Sequence, residues 1–478
     1  MARINTNTAA IIANRQLNRS QEQLSTSLER LSSGLRINRG ADDPAGLIVS
    51  ENLRSEIGGV KQAIANSQRA ANVIATTEGA LNEVASLLGD IQSKVVEAAN
   101  VGAISDDEIK ANQLQIDSAI ESITRIANTT SFAGRKLLNG SLGYITSGVN
   151  AAEVTDLRVN GVSFGTAAYM PVKVTVTQSA QHAQLSFQTS CISSDLTIEL
   201  AGPNGVTTLT LLSGTHASAI MQAINLVSDA TGVSASLINA THYQSGITLT
   251  SMDYGTDAFV QVEEVGSAGV FTTVDDDGQQ VKRDEGRNIS ATVNGANTLG
   301  KGLDLFLNTS ALSLELRIQA AFNKSGTSTF AITGGGAAFQ LGAGVDSNQQ
   351  INVGVESTAA SRLGNGTLGY LSQITSGGAY SLVAGGASQA AKIVEEAIRQ
   401  VSVLRGRLGA FEKNTLDTNM SQLQITLENL TASESSIRDL DFAMETSNLT
   451  RAQILVNAGT NILGIANQMP QSVLALLK

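Results

Sequence analysis

Two glycine motifs in the sequence have the spacing of catalytic loops. Gly161, Ser163 and Gly165 match the G-x-S-x-G turn that exposes a nucleophilic serine in hydrolases. That turn needs a strand before it and a helix after it, but here the chain continues through Pro171 into a run of alternating valines typical of a strand. We therefore predict a turn between two strands, without hydrolase chemistry.

The second motif, residues 295–302, is one residue away from a phosphate-binding loop. Gly302 stands where the loop needs a serine or threonine hydroxyl to bind magnesium. The surrounding residues favour strands and turns, so no helix N-terminus is available for the phosphate. The sequence predicts a glycine-rich turn without nucleotide binding.

Residues that commonly bind metals are few and far apart. The chain has three histidines, His182, His216 and His242, and one cysteine, Cys191. Their spacing is unlike that of a zinc site, and we interpret Cys191 as a small buried hydrophobic residue. The acidic run at 275–277 lacks the alternating ligands and the terminal glutamate of a calcium loop. We expect no catalytic residues, no cofactor and no metal.

Composition also limits the classes of partner. The 478 residues allow roughly three or four domains, and 42% hydrophobic residues supply a core. A formal net charge of −11 argues against nucleic-acid binding, which needs a basic face. No apolar run is long enough for a signal-peptide core or a membrane span, so we expect no membrane partner. Only four prolines leave room for long helices.

Both ends of the chain carry apolar residues at alternating steps of three and four, the pattern of a helical seam. Two acids before Pro44 and the capping box from Ser105 to Glu108 mark helix starts. A helix from Pro44 to about Asn100 would be about 80 Å long. The seams consist of Leu24, Leu28, Leu31 and Leu35; Leu53, Ile57, Val60 and Ile64; Leu81, Val84, Leu88, Ile91 and Val95; Val401, Leu404, Leu408 and Phe411; and Leu416, Met420, Leu423, Leu427 and Leu430.

The middle of the chain favours strands. Valines alternate with polar residues at 172–176, and similar alternation follows at 196–200 and 247–249, with a short helix predicted at 217–227. The predicted fold is mainly α, with long coiled-coil helices from both termini and an inserted α+β, β-rich domain. Overall we expect an α+β multidomain rod in which the two helical arms pair.

The last 32 residues pose a burial problem. Between 447 and 478 the only charges are Arg451 and Lys478, and large apolar residues lie all round the predicted helix. Such a helix must be buried, and one N-terminal helix cannot cover it. Because a monomer would expose a large apolar patch, we predict that many copies bury these helices together.

Five short segments resemble the terminal signatures of bacterial flagellins. At the N-terminal end they are Leu-Ser-Ser-Gly-Leu-Arg-Ile-Asn at 31–38 and Asp-Asp-Pro-Ala-Gly at 42–46. At the C-terminal end they are Ser-Asn-Leu-Thr-Arg-Ala-Gln-Ile-Leu at 447–455, Ala-Gly-Thr at 458–460 and Ala-Asn-Gln-Met-Pro-Gln at 466–471. The resemblance covers roughly residues 1–140 and 385–478. More weakly, residues 215–236 resemble a motif found in flagellin and hook-associated inserts.

This resemblance implies a non-enzymatic structural subunit of the helical flagellar filament, which serves swimming motility. Its partners would be many identical subunits, the type III export apparatus, an export chaperone acting on the C-terminal segment, and the filament cap and junction proteins. The protein would be secreted and extracellular. Two alternatives remain: a hook–filament junction protein, and a filament subunit whose insert, residues 166–335, carries adhesive or enzymatic activity.

The resemblance also divides the chain into segments with different roles. The expected segments are 1–43, an N-terminal inner-tube helix and spoke; 44–165, the long helices of the outer tube with a β-hairpin region; 166–335, the surface-exposed variable insert; 336–443, the return strand and C-terminal long helix of the outer tube; and 444–478, the C-terminal inner-tube helix. The residues expected to serve polymerisation are Leu24, Leu28, Leu31, Leu35, Ile454, Leu455, Ile462, Leu463, Leu474 and Leu477.

Family members that activate the vertebrate Toll-like flagellin receptor carry an arginine, a leucine and a glutamate on these helices. The matching positions here are Asp90, Lys94 and Gln115. Asp90 reverses a charge, and Lys94 places an ammonium where an apolar contact is needed. We therefore expect a weak agonist.

Overall fold

The computed structural model describes residues 6–165, 167–239, 245–266 and 269–476, with side chains to Met469. The chain forms two compact units. Unit 1 contains residues 1–70, 340–345 and 413–478, and unit 2 contains residues 71–339 and 346–412. Both units are therefore built from separate stretches of sequence.

Eight α-helices account for the described terminal regions and part of the middle. They are α1 (Thr8–Ser33), α2 (Pro44–Ala98), α3 (Asp106–Thr129), α4 (Ala217–Leu226), α5 (Ser228–Thr231), α6 (Ala387–Phe411), α7 (Thr418–Arg438) and α8 (Phe442–Leu476). The predicted helices from Pro44 and at 217–227 are confirmed.

Side-chain caps fix the helix starts that the sequence predicts. The Asp43 carboxylate accepts a hydrogen bond from the Gly46 N–H at 2.9 Å at the start of α2. At the start of α3, Ser105 Oγ accepts from the Glu108 N–H, and the Glu108 carboxylate accepts from the Ser105 N–H. Each cap satisfies an amide that the first turn of a helix leaves unpaired.

The C-terminal seam departs from a regular helix at one point. A π-helical segment, Glu412–Asp417, separates α6 from α7. It coincides with a step of five residues between Phe411 and Leu416, where the rest of the seam has steps of three and four. A π turn is wider than an α turn and takes up an extra residue, which explains why the segment forms there.

Short antiparallel strands make up most of the middle of the chain. The first eleven are β1 (Ser131–Phe132), β2 (Arg135–Lys136), β3 (Tyr144–Ser147), β4 (Val154–Val162), β5 (Met170–Gln178), β6 (Gln184–Phe187), β7 (Leu196–Gly202), β8 (Gly205–Leu211), β9 (Val233–Leu237), β10 (Ile247–Ser251) and β11 (Phe259–Val265). The others are β12 (Arg283–Glu285), β13 (Ser290–Val293), β14 (Ala296–Asn297), β15 (Leu299–Lys301), β16 (Asp304–Asn308), β17 (Leu312–Ile318), β18 (Gly326–Gly335), β19 (Ala337–Gln340), β20 (Gln350–Val353), β21 (Gly364–Asn365) and β22 (Gly369–Tyr370).

Unit 2 contains two separate β-rich cores. In the first, sheets ordered β14-β13-β5-β18-β3 and β15-β16-β17-β4 contribute to one apolar cluster. Val172, Val174 and Val176 of β5 all lie in this cluster, as their alternation predicts. In the second, sheets β6-β10-β9 and β12-β11-β7-β8 pack with α4. The predicted strands at 196–200 and 247–249 are confirmed in this second cluster.

One continuous stretch of the chain forms the second core. Gln181 and Arg287 pair where the chain enters and leaves it, with N–H to carbonyl distances of 2.8 and 3.0 Å. All buried members of the cluster lie between residues 183 and 271. The helical seam of unit 2 is buried as predicted, with Leu81, Val84 and Leu88 each 0% exposed.

We predict that Ser105→Ala lowers the free energy of unfolding by about 1 kcal/mol, because it removes the acceptor for the Glu108 amide. Urea unfolding followed by far-UV circular dichroism would measure it. Ser93→Ala, at an exposed position within α2, is the control and should not destabilise the protein. Equal stability of Ser105→Ala and the wild type would contradict the role of the cap.

Candidate functional site

The two glycine motifs form turns and strands in the structure. β4 ends at Val162 and β5 begins at Met170, with Gly165 at a φ of +57° between them, so the described part of this connection contains no helix. The second motif contributes β14 and β15, and Lys301 forms an ion pair with Asp257 at 3.1 Å. Both predictions of turns are confirmed.

The prediction that Cys191 is buried is wrong, because its side chain is exposed. The next residue, Ile192, is the one that enters the second core, and neighbouring side chains in an extended segment face opposite sides. His182 Nδ1 lies 3.0 Å from the Asp253 carbonyl oxygen, and His216 precedes α4. His242 lies outside the described residues.

Neither a metal cluster nor a bilayer-spanning helix is found in the described ranges. Among those residues, no three His, Cys, Asp or Glu side chains converge as metal ligands. No described helix combines the length and apolar character needed to cross a membrane. The acidic run at 275–277 forms a turn in which the Asp275 carboxylate accepts from the Gln279 N–H at 2.8 Å.

The two terminal helices of unit 1 pack against each other in antiparallel orientation. Asn7 Nδ2 donates to the Ala466 carbonyl oxygen at 2.7 Å, and Gly459 faces Leu17. A β-carbon at 459 would lie 3.2 Å from Leu17 Cδ1 and 3.6 Å from its Cβ, so glycine allows the helices to approach closely. Ala452 and Ala466 are also buried on α8, and with Gly459 they recur every seven residues.

The large apolar residues of these helices lie mostly outside that contact. Ile454 is 62% exposed and Ile462 is 56% exposed, whereas Ala452 is only 4% exposed. Large apolar side chains exposed on the two helices are Ile11, Ile12, Leu28, Phe442, Met444, Ile454, Leu455, Ile462, Ile465 and Met469. One chain therefore leaves much of this apolar surface uncovered, in agreement with the burial problem seen in the sequence.

The residues predicted for polymerisation fall into three groups. Leu28, Ile454, Leu455 and Ile462 are exposed, and Leu24, Leu31 and Leu463 are half-buried. The expected helical seam does not extend to Leu35, because α1 ends at Ser33 and Gly34 adopts a φ of +73°. Leu477 lies outside the described residues, and Leu474 lies outside the described side chains.

The turn between α1 and α2 is bonded to the end of α7. The Arg36 N–H donates to the Arg438 carbonyl oxygen at 2.7 Å, and the Leu440 N–H donates to that of Gly34 at 3.1 Å. Arg438 Nη1 also lies 2.6 Å from Glu51 Oε1. These bonds fix the chain path between the terminal helices and the rest of unit 1.

Asp42 closes this turn. Its Oδ2 atom accepts from the N–H groups of Arg39 at 2.9 Å and Asn38 at 3.0 Å. The Arg39 amide, followed by that of Asn38 and the charges of Arg30 and Arg39, holds the pKa of Asp42 below its ordinary value against a desolvation effect that raises it. The ionised carboxylate is therefore part of the folded turn.

The three receptor-equivalent positions lie in unit 2. Asp90 and Gln115 are exposed on α2 and α3. Lys94 is half-buried, with its Nζ atom 2.8 Å from Glu97 Oε2. The ammonium is therefore held on the helix surface by an ion pair.

Ala452, Gly459 and Ala466 are not among the residues predicted from the sequence, which are all large and apolar. Their spacing of seven is visible in the sequence and is the signal that identifies the buried side of α8. On α8 the buried alanines and Gly459 lie on one side of the helix, and most of the large apolar residues are exposed. Exposed apolar helices of this kind are typical of a structural subunit of a larger assembly.

Comparison with known proteins supports the class of structural subunit and identifies its family. "Bacterial flagellin N-terminal helical region" matches residues 4–142, and "Bacterial flagellin C-terminal helical region" matches residues 391–477. "Flagellin hook IN motif" matches residues 195–253, within the second core. The chain belongs to the bacterial flagellin family.

Its relatives match over nearly their whole length. A B-type flagellin of Pseudomonas aeruginosa is 31% identical over 99% of both chains, and a flagellin of Salmonella typhimurium is 29% identical over 99% of both. Among solved structures, the Escherichia coli flagellar cap protein FliD (D1-D2-D3 domains) aligns with 47% of this chain and 64% of its own, at 19% identity and a TM-score of 0.31, a likeness too low to bear on function.

Family and relatives together establish the general role. The protein is a structural subunit of the flagellar filament that assembles with flagellar proteins, and it is not an enzyme. The relatives named as flagellins give no support to the junction-protein alternative or to an enzymatic or adhesive insert.

We predict that Asp42→Asn destabilises the protein slightly near neutral pH. The folded pKa of Asp42 is depressed, so its contribution is complete above the ordinary value of 3.8 and is lost as pH falls through the folded value. The difference in melting temperature between wild type and variant should therefore shrink below about pH 4. A difference that stays constant between pH 7 and pH 2.5 would contradict this role.

Proposed function

We propose that the exposed apolar face of α1 and α8 is the polymerisation surface of the filament. The observation that carries the proposal is that α8 contributes small residues to its buried side, while its Ile454 and Ile462 are more than half exposed. Burying such side chains against further copies is favourable by roughly 1.5–3 kcal/mol for each fully buried residue. Residues 1–43 and 444–478 then form the inner tube.

The other segments take the roles expected from their position in the sequence. Residues 44–165 and 336–443 supply the outer tube, and residues 166–335 face solvent. Contacts that are head-to-tail and do not close generate an open helical polymer rather than a ring or a dimer. Support comes from the family matches, which cover the helical regions at both ends and leave the middle to the insert motif.

The protein reaches the filament by secretion through the flagellar type III apparatus. A chaperone that covers the C-terminal segment would keep the apolar residues of α8 from aggregating before export, and the filament cap would receive the subunit at the tip. The exposed side chains Ile454, Ile462 and Met469 support this part of the proposal, since they need cover in the monomer.

Deletion of residues 444–478 tests the polymerisation surface. Full-length and truncated proteins are mixed with short filament seeds and followed by light scattering and electron microscopy. We expect only the full-length protein to grow long filaments. Equal growth of both would overturn the proposal.

A point variant separates loss of the surface from loss of the helix. The double variant Ile454→Asp, Ile462→Asp should keep its monomer circular dichroism and lose seeded growth, because two charges would be buried between copies. The matched control is Leu226→Asp, at a position 86% exposed in unit 2, which should grow like the wild type.

We also infer that the protein activates the vertebrate flagellin receptor weakly. Asp90 presents a negative charge, and Lys94 adds the cost of desolvating its ion pair with Glu97. In a receptor reporter assay with purified monomer, the wild type should be weak. The triple variant Asp90→Arg, Lys94→Leu, Gln115→Glu should gain activity, whereas Glu83→Arg, on the same helix, should not. Strong activity of the wild type would contradict the inference.

A further inference from the structure

One short loop of unit 1 comes from the part of the chain between the two helical family regions. Residues 340–345 belong to unit 1, whereas the adjoining residues 71–339 and 346–412 belong to unit 2. The family matches for the helical regions end at 142 and resume at 391. The six-residue loop therefore lies outside both of the helical regions that match the family.

The loop is hydrogen-bonded to α7 at a residue that also bonds to α2. Asn419 Nδ2 on α7 donates to the Leu341 carbonyl oxygen at 2.9 Å and to Ser67 Oγ on α2 at 3.3 Å. Leu341 is 4% exposed and Ser67 is fully buried. One amide group thus joins the loop to α2 and α7.

The loop also has internal bonds that hold its shape. Gln340 Nε2 donates to the carbonyl oxygens of Gly342 at 3.0 Å and Gly344 at 2.6 Å. Both bonds link the Gln340 side chain to backbone carbonyl groups of the same loop. Residues 341–345 follow Gln340, the last residue of β19, and these two bonds hold them in a defined conformation.

Gly59 of α2 provides the space that the loop occupies. A β-carbon there would lie 3.1 Å from Ala343 Cβ and 3.3 Å from the Ala343 carbonyl oxygen. The adjacent Gly58 has nothing within 4 Å of the corresponding position. Glycine costs a helix interior roughly 1 kcal/mol relative to alanine, so Gly59 is accounted for by the approach of the loop.

The end of the loop presents an apolar side chain to solvent. Val345 is 91% exposed, although it follows a segment anchored on two helices. Residues 340–345 carry no charge. An uncharged, anchored loop with an exposed valine is suited to an apolar partner surface, because little conformational entropy remains to be lost on binding.

We propose that the loop at 340–345 is an additional contact between subunits, in which Val345 packs against an apolar surface of a second copy of this chain. The proposal rests on the proposed function, since the contact forms within the filament. A second copy is the expected occupant because the loop lies among the helices that define a filament-forming family, and each subunit in a helical polymer meets several others through different surfaces.

Val345→Asp tests the contact in the full-length protein. Purified monomer is added to wild-type seeds, and the critical concentration for growth is measured by light scattering. We expect about a tenfold rise, because burying a valine is worth roughly the 1.4 kcal/mol that corresponds to a factor of ten. The control Val206→Asp, at an exposed valine of β8 in unit 2, should leave the critical concentration unchanged.

A second pair of variants displaces the loop without changing Val345. Gly59→Leu fills the space occupied by Ala343, whereas Gly58→Leu places the same side chain in open space. We expect Gly59→Leu to raise the critical concentration and Gly58→Leu to leave it near the wild-type value. Equal growth of these two variants would show that anchoring on α2 is not required, and would overturn that part of the proposal.

The truncation of residues 444–478 separates the two proposals in the same assay. If the truncated protein fails to grow and Val345→Asp grows like Val206→Asp, the loop contact is wrong and the polymerisation surface stands. If the truncated protein grows, the polymerisation surface itself is wrong. Monomer circular dichroism of every variant ensures that a loss of growth is not a loss of folding.

Discussion

The close approach of α1 and α8 is the constraint on which the assembly surface depends. Helices come this near only where small side chains meet the partner, and Ala452, Gly459 and Ala466 meet that requirement at intervals of seven residues. Because α8 has few charged residues, assigning its small residues to the contact leaves its large apolar residues on the outside. The small residues of α8 thus pack within one chain, and its large apolar residues remain for contacts between chains.

The β-rich segments of unit 2 must each bury an apolar face without long helices. The two clusters use alternating residues such as Val174 and Ile198, both fully buried, on short antiparallel strands. Each cluster has its own sheets. Turns that contain a glycine at positive φ, such as Gly165 and Gly278, connect successive strands.

Much of the fold could be predicted from local patterns. The caps at Asp43 and Ser105 gave the starts of α2 and α3, because a cap needs only residues a few positions apart. The π-helical segment and the buried small residues were missed, although the step of five after Phe411 is visible in the sequence. The loop at 340–345 could not be predicted, since its position depends on a contact with Gly59 almost 300 residues earlier.

The pairing of Gln181 with Arg287 has a consequence for how such chains diversify. Because the chain leaves the second core beside the point where it enters, the intervening residues form a cassette with adjacent ends. Exchange of that cassette for another folded module with similarly spaced ends would leave β5 and β13 in register. The second core can therefore be replaced between two sequence junctions, near Gln181 and Arg287, while the helical regions at both ends of the chain are kept.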